Sequence, residues 1–529
     1  MGDYLNPSNI GFEYSLRSEI YVDKSGVISY ANRFLMTQQR YICISRPRRF
    51  GKTMAADMLA AYYSKGCDSD QLFGRLLVAK EGSYKENLNK FNVIFLNMQE
   101  FLSKSDDVKK MTKRITEKIY KDSLSEYPSI QIDPSDDLMD YCQSIFNVAK
   151  IPIVFIIDEW DCIFREYQSD KAAQKIYLDF LRGLLKDKHY VALAYMTGIL
   201  PIKKYGTHSA LNMFREFSMT DPREMSEFVG FTPDEVSDLC GRYGMDYGEM
   251  ARWYDGYYFP GFKSVYNPKS VVEALISKQF SDYWSQTETF EALSIYIKIN
   301  YEGLRDKIVE LLAGEKKRIN ISNFTNDMVT FKTYEDVLTL LIHLGYLGYD
   351  IETQEAFIPN KEISDEFVTA IRDVGWDEVI NALRTSDELL EATWRGDAQT
   401  VARIIEQTHY ETSIIRYNDE NALSCVISLA YYNARQYYKI VREMPAGKGF
   451  ADLVFLPWKN YPDKPAMIIE LKWDNTAAGA IRQIEDKRYP EVIKDYKDNV
   501  LLVGISYEKE SKQHECIITR FRESADCLR

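Results

Sequence analysis

The sequence predicts an α/β protein of about three domains. The chain has 529 residues, which is too long for a single hydrophobic core. Its 45% hydrophobic and 27% charged residues are the composition of a folded protein rather than a disordered one. Near the N-terminal end an apolar strand pattern, a loop and a helix pattern follow one another, as they do in a parallel sheet covered by helices.

A phosphate-binding loop is predicted within residues 41–54, YICISRPRRFGKTM. In a P-loop the backbone N–H groups and a lysine, here Lys52, surround the phosphates, while Thr53 binds Mg²⁺. The helix that begins near Lys52 points its positive dipole end at the same anion. Arg46 stands where the motif GxxxxGK[ST] has glycine. The residues expected around the nucleotide in this loop are Arg48, Arg49, Phe50, Gly51, Lys52, Thr53 and Met54.

The partner motif of a P-loop NTPase lies in the segment IPIVFIIDEWD, an apolar strand that ends in acids. The tip of a buried parallel strand reaches the ligand. Asp158 is therefore expected to hold the Mg²⁺ shell and Glu159 to polarise the hydrolytic water. Apolar segments at 93–98 and 191–198 fit the same parallel sheet. Together the two motifs predict an NTPase site.

Further polar residues are candidates at this site. Thr197 ends the strand at 191–198, where AAA-type ATPases carry a polar sensor of the γ-phosphate. Arg48, Arg49 or Arg215 is in a position to neutralise charge in the transition state, from the same chain or from a neighbouring subunit. The sequence does not choose among the three, and a homo-oligomer is compatible with it.

The middle of the chain predicts two helical regions. In the segment GFTPDEVSDLCGRYGM, Thr232 is the expected N-cap, with Pro233 at the first helical position and Glu235 at the third, which predicts a small helical lid. The later segment DVLTLLIHLGYLGYDIETQEAFIPN reads as a helix followed by a two-stranded wing, which suggests a winged-helix-like module. The expected division is 1–220 for the ATPase core, 221–280 for the lid, 281–384 for the winged-helix-like module and 385–529 for the last domain.

A second site is predicted in residues 446–472, AGKGFADLVFLPWKNYPDKPAMIIELK. Side chains alternate along a strand, so Glu470 and Lys472 project from one face. An antiparallel hairpin brings Asp452 beside them. Two carboxylates hold a hard cation such as Mg²⁺, and the lysine orients or helps to deprotonate the attacking water.

The flanking elements extend this pattern. A helix with Glu420 near its start and the strand YYKIVRE come before it, and a helix with Gln483, Lys487 and Tyr489 and the strand NVLLVGIS follow. The order helix, three strands, helix, strand resembles the PD-(D/E)XK nuclease superfamily. The resemblance implies that Glu420 is a further acidic ligand and that Gln483 and Tyr489 match the glutamine and tyrosine of exonuclease-type members, although their spacing here is longer than QxxxY.

The chain as a whole resembles bacterial AAA-ATPase-like proteins fused to a C-terminal PD-(D/E)XK nuclease-like domain. The stretches that carry this resemblance are FEYSLRSEIYVDKSGVI, RPRRFGKT, GFTPDEV, WYDGYYF, VYNPKSV and LGYLGYD…IPN. The resemblance implies ATP as the nucleotide, and Arg46 in the P-loop is typical of the family. The expected metal ligands are Thr53, Asp158, Glu420, Asp452 and Glu470, with Glu159, Asp452, Glu470, Lys472 and Gln483 as catalytic residues.

Composition excludes several other classes. The eight cysteines form no CxxC pair and the five histidines form no HxxH or HExxH cluster, so the sequence predicts reduced thiols and no zinc site. No apolar run approaches the roughly 20 residues that cross a bilayer, and the first residues lack a signal peptide, which favours the cytoplasm. The net charge of −13 is uneven, since residues 431–529 hold slightly more basic than acidic side chains.

The function that the sequence favours is an ATP-dependent nuclease that acts on nucleic acid, with DNA preferred over RNA. Defence against phage or other mobile DNA is a context suggested by the pairing of the two activities. Two alternatives stay open. One is an ATP-gated switch or assembly protein whose C-terminal domain binds nucleic acid or a partner without cleavage, and the other is a motor that acts on RNA.

Overall fold

The computed structural model describes the chain in two compact units. One consists of Met1–Leu293 with Arg318–Asp365, and the other of Ser294–Lys317 with Glu366–Arg529. The described residues are 2–130, 136–202, 211–259, 262–284, 290–299, 301–326, 328–411, 420–446, 449–489, 493, 496 and 499–521.

A parallel five-stranded sheet forms the centre of the first unit. Its strands are β1 (Tyr41–Ser45), β2 (Asn92–Asn97), β3 (Ile153–Asp158), β4 (Val191–Gly198) and β5 (Arg215–Phe217), in the order β2-β3-β4-β1-β5. Every residue of β1, β3 and β4 is buried, which explains why these segments read as continuous apolar runs. The α/β class and the four predicted strands are confirmed, and β5 is an additional strand.

Ten helices accompany these strands in the described part of the chain before residue 203. Three of them bear on the site, because α3 follows the P-loop, α6 follows β2 and α9 follows β3. The ten helices are α1 (Ile10–Leu16), α2 (Gly26–Asn32), α3 (Lys52–Tyr63), α4 (Asp70–Phe73), α5 (Tyr84–Asn87), α6 (Met98–Ser103), α7 (Val108–Glu126), α8 (Leu138–Ala149), α9 (Cys162–Glu166) and α10 (Lys171–Leu185).

A small helical group follows the sheet. It contains α11 (Pro233–Tyr243), α12 (Tyr247–Tyr254), the hairpin β6 (Tyr257–Phe259) and β7 (Phe262–Val265), and α13 (Pro268–Ser277). The predicted start of α11 is confirmed, since Thr232 and Glu235 form a capping box and Pro233 is the first helical residue. Apolar side chains of the three helices share one core, including Val236, Leu239, Met250, Val271 and Leu275.

The next elements include the predicted helix and its two-stranded wing. The helix is α16 (Tyr334–Leu344), and the wing is the antiparallel pair β9 (Gly348–Asp350) and β10 (Glu355–Phe357). The short strand β8 (Lys317–Arg318) completes this sheet, whose strand order is β8-β10-β9. The boundary between the two units falls inside the predicted 281–384 module, and the predicted four-part division remains a prediction. The other elements here are α14 (Phe290–Ile299), α15 (Leu304–Leu312) and α17 (Lys361–Val374).

The second unit contains a mixed five-stranded sheet with helices on both faces. The strand order is β11-β12-β13-β14-β15, and only β13 and β14 pair in parallel among these strands. The predicted order of helix, three strands, helix, strand is confirmed, and β15 is a fifth strand beyond it. The elements are α18 (Asp377–Arg395), α19 (Ala398–Glu411), α20 (Glu420–Ala430), β11 (Tyr438–Ala446), β12 (Gly449–Pro457), β13 (Ala466–Trp473), α21 (Ala477–Asp486), β14 (Val500–Glu508) and β15 (Gln513–Arg520).

Alternation along the strands gives this sheet two apolar faces. On one face Leu453 and Ile469 pack with residues of α18, α19 and α20. On the other face Val454 and Ile468 pack with Ile481 and Ile484 of α21. The helices α18 and α19 therefore contribute to the core of this unit. Among the described residues no helix is long and apolar enough to span a membrane.

Candidate active sites

The P-loop is shaped by a sharp turn before α3. Gly51 lies at φ 89°, in the left-handed region that residues with a side chain rarely adopt, and α3 begins at the next residue. Lys52 is 4% exposed, and its Nζ donates to the carbonyls of Arg46 at 3.0 Å and Pro47 at 2.8 Å. Burial lowers the pKa of Lys52, against the opposing charges of Glu159 and Asp158. The loop therefore closes around its own lysine.

Asp158 joins the P-loop to two strand ends. Its Oδ2 accepts from the hydroxyl of Thr53 at 2.8 Å, and its Oδ1 accepts from the hydroxyl of Thr197. The carboxyl is fully buried at the end of β3. The structure thus brings together three residues that the sequence places far apart, in an oxygen-rich group of the kind that Mg²⁺ prefers.

Glu159 is held by an arginine that the sequence analysis missed. Its backbone has φ 54°, and its Oε2 accepts from the Arg165 guanidinium, which is also 3.5 Å from Asp161. Burial raises the pKa of Glu159, while Lys52 and Arg165 lower it. Arg165 lies on α9, directly after the acidic strand end, and its position six residues beyond Glu159 was the one available signal.

A cavity of about 590 Å³ opens at the P-loop. All seven predicted loop residues line it, as does Glu159. Its remaining walls are mainly apolar and come from the segment before β1, from α3, from residues 228–231 and from α13. These further lining residues, which the sequence did not single out, include Phe12, Ile20, Tyr21, Phe228, Phe231 and Val272. The cavity is therefore lined by the polar P-loop residues together with apolar side chains, as many ligand sites are.

Arg46 and Arg215 point into aromatic surroundings. The Arg46 side chain is fully buried, its Nη1 donates to the carbonyl of Phe217 at 3.1 Å, and its guanidinium lies 4.9 Å from the ring centre of Phe259. Burial lowers the pKa of Arg46 to about 9. Arg215 lies 4.9 Å from the ring centre of Phe34. The residue that replaces the first P-loop glycine is thus a packed interior group.

In the second unit, β12 and β13 bring the predicted acidic residues together. Their antiparallel pairing runs to Leu453 opposite Ile469, and Asp452 and Glu470 are the next residues on each strand. The Oδ2 of Asp452 accepts from the backbone N–H of Leu471 at 2.6 Å. The Nζ of Lys472 donates to Oε1 of Glu470 at 3.1 Å, so both side chains lie on one face as predicted.

Gln483 and Tyr489 are linked to this group by hydrogen bonds. The amide nitrogen of Gln483 donates to Oε1 of Glu470 and lies 3.3 Å from the hydroxyl of Tyr489. That hydroxyl donates to the carbonyl of Phe450 at 2.7 Å. A residue spacing longer than QxxxY therefore still places the glutamine and the tyrosine side by side, because the chain passes the end of α21 between them.

Glu470 has the properties of a cation ligand. It is 1% exposed, and its Oε2 is buried without a hydrogen-bond partner among the residues that the structure describes. Burial and the nearby Asp452 raise the pKa of Glu470 to about 7, against the lowering effect of Lys472. An unsatisfied carboxylate oxygen in the interior is costly, and a bound divalent cation removes that cost.

Asp452 and Glu470 are the two candidate metal ligands of this unit whose side chains are described. No group of three or more His, Cys, Asp or Glu side chains suited to a metal occurs within the described ranges. Glu420 is the first residue of α20, but its side chain lies outside the described residues. Its predicted role as a ligand therefore remains a prediction.

Two family models match the chain. Residues 13–207 match the family described as "Predicted AAA-ATPase", and residues 418–516 match the "PD-(D/E)XK nuclease superfamily". The chain carries an AAA-ATPase-like domain followed by a PD-(D/E)XK superfamily domain. The first match contains the P-loop and the acidic end of β3, and the second contains Glu420, Asp452, Glu470, Lys472 and Gln483.

One individual protein is similar to about half of the chain. The chain is 25% identical over 276 residues to an Azotobacter chroococcum (mcd 1) protein of the vnfD 5′ region, a match that covers 51% of this chain and 51% of that protein. The chain thus spans about half the length of this relative.

Three solved structures are similar at low scores. The Aeropyrum pernix ORC2 protein, in ADPNP–ADP complexes, is 14% identical, with 69% of this chain and 96% of that chain covered and a TM-score of 0.29. Cdc6p of Pyrobaculum aerophilum is 10% identical, with 69% and 98% covered and a TM-score of 0.26. AMPPCP-bound DnaA of Aquifex aeolicus is 11% identical, with 80% and 98% covered and a TM-score of 0.25.

Proposed function

We propose that this protein hydrolyses ATP in its AAA-ATPase-like domain and cleaves nucleic acid in its PD-(D/E)XK domain. The observation that carries the nuclease proposal is the convergence of Lys472 and Gln483 on Oε1 of a buried Glu470 whose second oxygen accepts no hydrogen bond among the described residues. A surface hairpin has no reason to bury that carboxyl.

The ATPase chemistry rests on four groups. Lys52 contributes its ammonium to the phosphates once nucleotide replaces the carbonyls of Arg46 and Pro47 as its partners. Thr53 and Asp158 are the residues that would hold Mg²⁺, which when bound neutralises phosphate charge. Glu159, kept in place by Arg165, orients the water and accepts its proton.

In the PD-(D/E)XK domain, Asp452 and Glu470 would hold Mg²⁺, which when bound offsets the charge that develops on the phosphodiester. Lys472 lies against Glu470 and is the group that orients or deprotonates the attacking water. Gln483 fixes the Glu470 carboxyl through the same oxygen. DNA in the cytoplasm is the substrate that we favour, with defence against mobile DNA as the context in which an ATP-controlled nuclease has a use.

One observation favours a second candidate function. Oε1 of Glu470 already accepts from Lys472 and Gln483, and Asp452 already accepts from the Leu471 N–H. A domain with these internal partners could bind nucleic acid without cutting it, while ATP controls access or assembly. That function predicts nucleic-acid binding that survives Asp452→Ala without any cleavage by the wild type.

The two candidates are separated by a cleavage assay on labelled DNA in Mg²⁺ or Mn²⁺, with and without ATP. Wild type, Lys52→Ala and Asp452→Ala would be compared. The proposed function predicts cleavage by wild type, none by Asp452→Ala, and ATP-dependent cleavage that Lys52→Ala loses. Wild-type ATP hydrolysis without cleavage of any substrate would favour the switch instead.

A further inference from the structure

An exposed aromatic side chain lies next to the carboxylates of the PD-(D/E)XK domain. Phe450 is 62% exposed near the start of β12, two residues before Asp452. Its backbone is fixed, because its carbonyl accepts from Tyr489 and it pairs with Pro445 of β11. A single exposed ring is common on protein surfaces, and what distinguishes this one is its position two residues before Asp452 on a hydrogen-bonded strand.

A chain of hydrogen bonds links the backbone of Phe450 to Glu470, and a lysine lies against the residue before Phe450. Through Tyr489 and Gln483, its carbonyl is three hydrogen bonds from Oε1 of Glu470. On the other side the Lys487 side chain crosses Gly449, where an added Cβ would lie 2.9 Å from Cδ of the lysine. The same added Cβ would lie 3.1 Å from Nζ of Lys487, so the ammonium lies at the start of β12, next to Phe450.

The chemistry of this neighbourhood matches one unpaired nucleotide. An aromatic ring stacks on the flat face of a nucleobase, whatever the base. A lysine beside it attracts the phosphate that follows. In a duplex both faces of an internal base are covered by its neighbours. Only bases in a single strand or at a frayed end can therefore stack on the Phe450 ring.

We propose that Phe450 is a stacking platform for an unpaired nucleobase and that Lys487 binds the adjacent phosphate, so that this domain prefers single-stranded DNA or single-stranded ends. The inference rests on the proposed nuclease function for its substrate. Binding, however, is separable from cleavage and can be measured in protein that cannot cut.

The test uses full-length Asp452→Ala protein and fluorescence anisotropy of a labelled single strand and of the blunt duplex of the same sequence. Adding Phe450→Ala is expected to weaken single-strand binding by about 5- to 100-fold and to leave duplex binding within about twofold. Phe450→Trp is expected to retain the affinity, which separates stacking from a folding defect. Tyr410→Ala, at an aromatic residue that is 87% exposed on α19, is the matched control and is expected to bind like the parent.

Lys487→Gln tests the phosphate contact. It is expected to weaken binding to both DNAs by a similar factor and to reduce the dependence of affinity on salt, since one ion pair is removed. Unchanged single-strand affinity in Phe450→Ala, or an equal loss on the duplex, would overturn the inference. Wild-type protein that binds through Phe450 but never cleaves would overturn the nuclease proposal and support the platform.

Discussion

Lys472 forms an ion pair with Glu470, in which Nζ of the lysine lies 3.1 Å from Oε1 of the carboxyl. Oε2 of the same carboxyl is buried without a hydrogen-bond partner among the described residues. Burial and the nearby Asp452 raise the pKa of Glu470 while Lys472 lowers it, so the protonation of this carboxyl depends on all three.

Metal binding by the PD-(D/E)XK domain is expected to depend on pH. The pKa of Glu470 is about 7 in the folded protein, above its ordinary value of 4.5, so a proton competes with the cation below that pH. Affinity for Mn²⁺, measured by titration calorimetry, is expected to fall about tenfold per pH unit below 7 and to level off above it. Affinity that is flat across this range would show that Glu470 is not a ligand.

The raised pKa of Glu470 also makes the stability of the metal-free protein depend on pH. Between pH 4.5 and about 7 the folded state holds a proton on Glu470 that the unfolded chain has released. The contribution of this group to the free energy of unfolding is therefore present at low pH and is lost as pH rises through that range. Added Mn²⁺ is expected to restore stability above pH 7, as seen in thermal denaturation, and to have little effect at pH 5.

Removal of the P-loop lysine is expected to weaken nucleotide binding. Lys52→Ala deletes charge-assisted hydrogen bonds to the phosphates, worth about 1.5–3 kcal/mol, which corresponds to about 10- to 100-fold in Kd. A fluorescent ATP analogue measures this directly. Lys110→Ala is the matched control, because that lysine is 62% exposed on α7 and does not line the cavity. Equal affinity for the two variants would reject the P-loop assignment.

Arg165 is expected to position Glu159 and to keep it ionised. Arg165→Ala should lower kcat for ATP by about tenfold or more and should move the acidic limb of the pH–kcat profile to higher pH, because this guanidinium lowers the pKa of Glu159. KM should change little, since Arg165 does not line the cavity. Arg165→Lys should recover part of both effects, whereas a lower kcat with an unmoved pH profile would indicate a purely structural role.

Arg46 is expected to stabilise the fold rather than to act on nucleotide. Arg46→Gly restores the usual P-loop residue but removes the contact with the Phe259 ring and the hydrogen bond to Phe217. The cavity left behind should cost about 3 kcal/mol of unfolding free energy. Chemical denaturation measures that cost, and stability equal to wild type would show that the buried guanidinium contributes nothing.

Much of the fold follows from local pattern. The apolar runs of β1 to β4 and the capping box at Thr232 are visible in the sequence because burial and helix capping each require particular residues at particular positions. The short strand β5 is not, since three residues carry no periodicity. β15 alternates between exposed and buried side chains only over its first four residues, which is too short a pattern to predict a strand.

The residues of the candidate sites also differ in how much of their placement can be predicted from the sequence. Residues within a strand or loop motif, such as Lys52, Asp158 and Glu470, were predicted from the motif and the elements around it. Contacts between distant segments were not: the apolar wall of the cavity and the stacking of Arg46 on Phe259 depend on tertiary packing, which no local pattern encodes. Arg165 is an intermediate case. It is near Glu159 in the sequence, but the contact between the two side chains also depends on the backbone of Glu159, which lies at φ 54°.

The most direct measurement is the rate of phosphodiester cleavage by wild type, Asp452→Asn and Asp463→Asn in Mg²⁺, with ATP hydrolysis followed in the same samples. Asp463 is the matched control, because its side chain is 73% exposed in the loop between β12 and β13. We predict that Asp452→Asn loses cleavage and keeps ATP hydrolysis, while Asp463→Asn retains both. Cleavage by Asp452→Asn at the wild-type rate would contradict the assignment of the active site.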